Sequence, residues 1–115
     1  MHRTITPRVH GILDYVVVAV FALAPTLLGL VGLAAGLSYL LAVVHLAMTL
    51  LTDFPMGAAR VIPFHLHGKV EVVVGIALVL LSVTLLRDTA FLFYFVMGLG
   101  ILATWALTAY DGPTA

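Results

Sequence analysis

The stretch YVVVAVFALAPTLLGLVGLAAGLSYLLAVVHLAMTLLT, from Tyr15 to Thr52, contains no Asp, Glu, Lys or Arg. At ~1.5 Å per residue, one helix of this length would be almost twice the ~30 Å hydrocarbon core of a bilayer, so the stretch must fold back on itself. The reversal is expected around Gly29, Gly32, Gly36 and Ser38, where glycine frees the backbone and helix propensity falls. A first helix then covers about 7–31 and a second about 37–53. Thr6 before Pro7 reads as a cap with proline at the first helical position, where its missing N–H costs nothing. Asp53-Phe54-Pro55 stops the second helix.

Outward from this stretch, Pro55 to Pro63 forms a polar-edged connection, either a loop or a short interfacial helix. A third helix follows Pro63 and runs to Leu86. The turn Arg87-Asp88-Thr89 hands over to a fourth at about 90–110, ended by Asp111-Gly112-Pro113. The expectation is a single all-α transmembrane domain, a polytopic membrane protein whose four transmembrane helices form a four-helix bundle.

Composition agrees. Of 115 residues, 63% are hydrophobic and 9% charged, against roughly 45–50% and 25% in soluble domains, which excludes a water-soluble globule. Five Lys/Arg balance five Asp/Glu, so no electrostatic footprint for nucleic acid exists. The absence of Cys removes disulfides, thiolate metal sites, iron–sulfur clusters and a Cys nucleophile. Arg3, Arg8, an apolar stretch and Ala22-Leu23-Ala24 imitate a signal peptide, but the apolar part continues past Ala24, so an uncleaved first span is expected. Four spans bring both termini to one side, together with Arg3, Arg8, Arg60 and Lys69, leaving Arg87 alone opposite. The positive-inside bias then places both termini and the 54–65 loop in the cytoplasm.

The chain repeats itself. Val9-His10-Gly11-Ile12-Leu13-Asp14-Tyr15-Val16-Val17 aligns with Leu66-His67-Gly68-Lys69-Val70-Glu71-Val72-Val73-Val74, both reading His-Gly-x-x-acid-x-Val-Val. Leu51-Thr52-Asp53-Phe54-Pro55 aligns in turn with Ala109-Tyr110-Asp111-Gly112-Pro113, which sets His45 against Ala103. Repeat one covers about 7–55 and repeat two about 64–113, each a helical hairpin. An even number of spans per unit gives both copies one orientation, related by a pseudo-twofold axis along the membrane normal, a parallel-repeat plan.

In its His-Gly-x-x-acid openings, in Ala24-Pro25-Thr26-Leu27-Leu28-Gly29 and in Asp53-Phe54-Pro55, the chain resembles the SPW-repeat family of small bacterial integral membrane proteins. The resemblance implies a two-helix repeat with its motif in the first helix and a place in the bacterial inner membrane. It implies no activity.

Ionisable groups within a membrane cost several kcal/mol unless paired, so each marks a candidate site. His10 and Asp14 share one helical face, as do His67 and Glu71. Across the pseudo-axis they would form a two-His, two-carboxylate cluster at the cytoplasmic boundary, a ligand set suited to a divalent metal ion such as iron, zinc or manganese. Alternatively, each His hydrogen-bonds a carboxylate, carbonyl or water and simply locks the helix starts together. Gly11 and Gly68 allow close backbone approach or leave room for a ligand.

His45 is expected near mid-membrane, roughly 12 Å inward from Asp53, heading a polar stripe with Thr49, Thr52 and Asp53. That stripe is a proton path, a haem ligand with its water network, or a hydrogen-bond ladder. A haem or chlorin would need two imidazoles at equal depth. His10 and His67 meet this condition, whereas His45 is placed about two turns too deep. His2 and His65 are interfacial and receive no role. Gly32 with Gly36, and Gly75, Gly98 and Gly100, are expected at close helix contacts. Phe91, Phe93, Tyr94 and Phe95, with Trp105 and Tyr110, are expected as interfacial anchors.

No nucleophile elbow, P-loop or dinucleotide fingerprint occurs, and no catalytic residue is assigned. Two functions remain open. One is a small membrane protein in which His10, Asp14, His67 and Glu71, with His45, hold a haem, a chlorin or a metal ion. The other is an accessory or scaffolding subunit that packs on other membrane subunits or on its own copies. Proton-coupled transport along the His45 stripe is a weaker third.

Overall fold

The computed structural model describes residues 3–88 and 90–112; His2, Thr89 and Pro113 lie outside them. Among the described residues there are four helices and no strand: α1 Pro7–Leu28, α2 Gly32–Leu51, α3 Phe64–Val83 and α4 Phe91–Leu107. Thr6 caps α1 as expected, its hydroxyl accepting the Val9 N–H at 3.2 Å, with Pro7 opening the helix.

The reversal after α1 is tighter than the sequence suggests. Gly29 takes φ +65°, a left-handed C-cap, and its N–H and that of Leu30 both return to the Pro25 carbonyl. Gly32 already begins α2. Gly36 and Ser38, expected in the turn, lie inside α2, because three residues suffice once Gly29 supplies the left-handed step. A Cβ on Gly32, Gly36 or Gly100 would meet nothing within 4 Å, so these are not the close helix contacts expected. Gly75 and Gly98 are: a Cβ on either would approach the other's carbonyl at 3.3 and 2.9 Å.

Ser38 has a specific partner. Proline at position 25 lacks the N–H that would bond the Phe21 carbonyl one turn earlier. The buried Ser38 hydroxyl donates to that carbonyl at 2.6 Å, so α2 repairs the gap in α1.

α1 packs chiefly on α2 and α3 on α4, giving the two expected hairpins. The first three helices are long and apolar enough to cross a membrane, and α4 is shorter. Away from Arg8, His65 and Lys69 near the starts of α1 and α3, their outer faces are largely apolar, with Leu27, Val43, Val73 and Leu92 among the most exposed residues. α3 ends at Val83 rather than Leu86, and α4 at Leu107 rather than 110.

The pseudo-twofold is visible in the backbone. Ile5 precedes α1 and pairs with the residues after α4: its N–H goes to Leu107 O at 3.0 Å, and Ala109 N–H goes to its carbonyl at 2.9 Å. Ile62, preceding α3, pairs identically with the residues after α2, bonding Leu51 O and Asp53 N at 2.8 Å each. Thr108 therefore corresponds to Thr52, and Tyr110 to Phe54. The expected alignment of Asp53 with Asp111 is two residues out of register, since similar end motifs outweighed the helical face. His45 consequently corresponds to the buried Ile101, not to Ala103.

Candidate metal centre

Helix geometry puts His10 and Asp14 on one face of α1, and His67 and Glu71 on the same face of α3. The twofold turns these faces together at the end of the bundle where α1 and α3 begin. His10 and His67 are fully buried, and Asp14 and Glu71 are each 2% exposed. Four ligand atoms, one from each residue, lie within 4.8 Å of one another.

The four imidazole–carboxylate distances are short. His10 Nε2 is 3.4 Å from Asp14 Oδ1 and 3.1 Å from Glu71 Oε1. His67 Nε2 is 3.2 Å from Asp14 Oδ2 and 2.8 Å from Glu71 Oε1. Each carboxylate thus faces the histidine of its own helix and that of the other repeat. Neither Asp14 Oδ2, which has His67 Nε2 at 3.2 Å but no bond of good geometry, nor Glu71 Oε2 makes a hydrogen bond, a costly state for a buried carboxylate oxygen unless a cation serves it.

The outer imidazole nitrogens fix how the inner ones are presented. His10 Nδ1 is 2.8 Å from Thr108 Oγ1, and His67 Nδ1 is 2.6 Å from Thr52 Oγ1. Each threonine already donates its single hydroxyl proton to its own helix, Thr108 to the Thr104 carbonyl and Thr52 to the Met48 carbonyl. Both oxygens can therefore only accept, so both histidines donate from Nδ1. Both Nε2 atoms then turn toward the carboxylates, with a lone pair available when the ring is neutral.

Sequence reasoning brought His10, Asp14, His67 and Glu71 together, but misplaced His45. His45 Nε2 lies 3.2 Å from Asp14 Oδ1, and its ring centre is 6.4 Å from that of His67. The expected two-turn depth gap is closed because Asp14 itself sits one turn inward of His10 and its side chain meets the His45 ring. The expected stripe is not continuous either. Thr49 donates to the His45 carbonyl and Thr52 to that of Met48, while Asp53 is exposed. His65 stands outside the cluster in an exposed pair with Asp111 at 2.9 Å.

An aromatic lid, missed from sequence, closes the cluster. Phe64 and Tyr110 meet the His10 ring at centroid distances of 5.2 and 5.7 Å, and Phe54 meets His67 at 5.7 Å. Tyr110 is buried over Gly68 instead of anchoring an interface, and Tyr94 is likewise buried, donating to the Ala34 carbonyl at 2.6 Å. Burial, and then the negative charge of Glu71 and Asp14, raise the Tyr110 pKa, so the phenol keeps its proton. Phe54 lies over Gly11 as Tyr110 lies over Gly68; the repeat, read in correct register, is the signal that would have found both.

The donor set of two imidazoles and two carboxylates suits a divalent ion. A haem or chlorin does not fit. The space between the Nε2 atoms of His10 and His67 is filled by the Asp14 and Glu71 carboxylates, and both rings are sealed by Phe54, Phe64 and Tyr110. Comparison with protein-family models, curated proteins and solved structures finds no match to this chain.

Proposed function

We propose that the protein is a four-span membrane protein that binds one divalent transition-metal ion through His10, Asp14, His67 and Glu71. The carrying observation is the pair of threonine acceptors that commit both Nδ1 protons and aim both Nε2 atoms at two carboxylates bearing unpartnered oxygens. Charge is compatible with it. Two buried carboxylates call for two compensating positive charges; one divalent ion between neutral imidazoles would supply them at a single point, and in its place Nε2–H of His10 and His67 donates to the same carboxylates. Size is compatible with it. Bonds of ~2.0–2.1 Å in a tetrahedral site imply donor separations of about 3.4 Å, and one ligand atom from each of the four residues lies within 4.8 Å of the other three, so a modest contraction would close the shell.

The absence of thiolate and the paired carboxylates favour zinc, iron(II) or manganese(II) over copper(I). Membrane residence is supported by the apolar exteriors of all four helices; α4 carries no charged residue although it is the shortest. The basic residues Arg3, Arg8, Arg60 and Lys69 at the cluster end favour an orientation with that end cytoplasmic, and the resemblance to small bacterial membrane proteins favours the inner membrane as its place.

Elemental analysis of the protein purified in mild detergent tests the reading. One metal per chain is expected, lost in the His10→Ala, His67→Ala double variant. Metal-free protein that takes up none of the three ions would overturn it.

A further inference from the structure

The two halves of the site are not equivalent, and the difference points to a second ligand. Over Gly11 the twofold places Phe54, alongside the closer Met56; over Gly68 it places Tyr110 alone. The two aromatic rings fill the same role in the lid, yet one carries a hydroxyl. That hydroxyl is buried and has no hydrogen-bond partner. Thr108 lies beside it, but its oxygen already accepts from His10 and its proton goes to the Thr104 carbonyl, and the contact with the phenol falls short of hydrogen-bond geometry. A buried, unpartnered phenol is worse than the phenyl ring its twin supplies, by the desolvation of one donor. Phenylalanine would close the lid equally well, so the phenol has a use that the lid does not explain.

Its position identifies that use. Tyr110 packs on Gly68, one turn before Glu71, and a Cβ at Gly68 would lie 3.0 Å from the phenol oxygen. Its ring is 5.7 Å from that of His10, whose Nε2 faces Glu71. Glu71 Oε2 is the other unpartnered atom on this side. On the Asp14 side, by contrast, His45 Nε2 donates to Oδ1 at 3.2 Å and His67 Nε2 stands 3.2 Å from Oδ2, whereas the counterpart of His45 on the Glu71 side is the apolar Ile101. Both Asp14 oxygens thus face an imidazole, while on the Glu71 side Oε2 and the Tyr110 hydroxyl are left without a hydrogen bond.

We infer that the metal keeps one coordination position open on the Glu71 side, where a small exogenous ligand binds and accepts a hydrogen bond from the Tyr110 hydroxyl. This deepens the metal reading and rests on it. The ligand class is a compact metal-binding molecule or anion with an acceptor atom, such as hydroxide, azide or another small anion. With four protein donors the small ligand would enter as a fifth, and a shell that expands in this way belongs to a reactive metal centre rather than a purely structural one.

The test uses the full chain in detergent, loaded with cobalt(II), and follows the cobalt visible absorption during an azide titration. A saturable spectral change is expected. Tyr110→Phe is expected to hold the same cobalt stoichiometry and to bind azide about tenfold more weakly, the loss of one hydrogen bond. Stoichiometric cobalt whose spectrum ignores azide would overturn the open position, leaving the metal reading intact. Equal azide affinity in Tyr110→Phe would overturn the role of the phenol. No cobalt uptake by the wild-type chain would overturn both. Should Tyr110→Phe lose cobalt, the wild-type titration still decides whether the position is open, and Tyr110→Leu, which occupies the lid without any hydrogen-bond donor, decides the hydroxyl's part.

Discussion

His67 donates from Nδ1 to the Thr52 hydroxyl oxygen over 2.6 Å, across the junction between the two repeats. The same bond recurs between His10 and Thr108 at 2.8 Å. Each threonine thus sets the tautomer of a histidine in the other half of the chain, and this reciprocity makes the cluster a property of the assembled bundle rather than of either hairpin.

Removing the acceptor should weaken the metal site without removing a ligand. Thr52→Val and Thr108→Val keep the side-chain shape but leave a buried imidazole N–H unpaired. Outer partners of this kind typically govern 10–100-fold in metal affinity. A fall of that order is expected in each variant, measured by competition with a chromogenic chelator. Thr52→Ser and Thr108→Ser should restore affinity to within a few-fold, because serine supplies the same acceptor. Serine variants as weak as the valine ones would show that only packing was lost.

Metal removal should cost stability. A ligand bound only by the folded state stabilises it by about 4 kcal/mol at a thousand times its Kd, so a chelator should lower the thermal unfolding midpoint in detergent. Glu71→Gln should lower it further than Lys69→Gln. Glu71 Oε1 serves both His10 and His67, and breaking a buried pair costs about 3–5 kcal/mol, whereas Lys69 is exposed. A chelator-insensitive midpoint would count against a bound ion.

Much of this was readable in the chain. The uncharged run from Tyr15 to Thr52 dictates a hairpin, and the His-Gly-x-x-acid repeat places four ionisable residues on facing helices. What was not readable follows from side-chain reach and register. His45 was placed by backbone rise alone, which ignores that Asp14 sits a turn inward and meets it. The pairing of Thr52 and Thr108 with the histidines, and of Phe54 and Tyr110 with the lid, stays hidden because the end motifs align by sequence likeness at Asp53 and Asp111, whereas the fold aligns the helical faces two residues earlier. Gly36 and Ser38 looked like turn residues because propensity knows nothing of Pro25, whose missing N–H makes a buried serine on the next helix favourable.

The glycines divide sharply by their surroundings. Gly98→Ala would press a methyl group against the Gly75 carbonyl at 2.9 Å and the Val79 backbone nitrogen at 3.0 Å. Backbone atoms cannot yield, so α3 and α4 must separate, with an expected loss of about 1–3 kcal/mol. Gly36→Ala meets open space within a helix and should gain about 0.5–1 kcal/mol from helix propensity. Unfolding midpoints of opposite sign are the expected result. A neutral Gly98→Ala would mean that the α3–α4 contact is looser than described.

The proposed orientation has an independent check. With the basic residues Arg3, Arg8, Arg60 and Lys69 at the cluster end, a fluorescent protein fused after Ala115 should fold and fluoresce, and alkaline phosphatase at the same point should be inactive. Active phosphatase would place the cluster end outside and refute the assignment.

The contact between α1 and α2 offers the cleanest separation of cause from proximity. Ser38 donates to the Phe21 carbonyl at 2.6 Å because Pro25 has no N–H to give. Ser38→Ala alone leaves that carbonyl buried and unpaired, an expected cost of about 1–3 kcal/mol. In a Pro25→Ala background, the new N–H at position 25 can close the helical bond to Phe21, so Ser38→Ala should cost markedly less. The double-mutant cycle should therefore show a coupling of at least ~0.5 kcal/mol, read from unfolding in detergent. Additive effects would mean that the serine is held by packing alone, and that α1 tolerates its interior proline for some other reason.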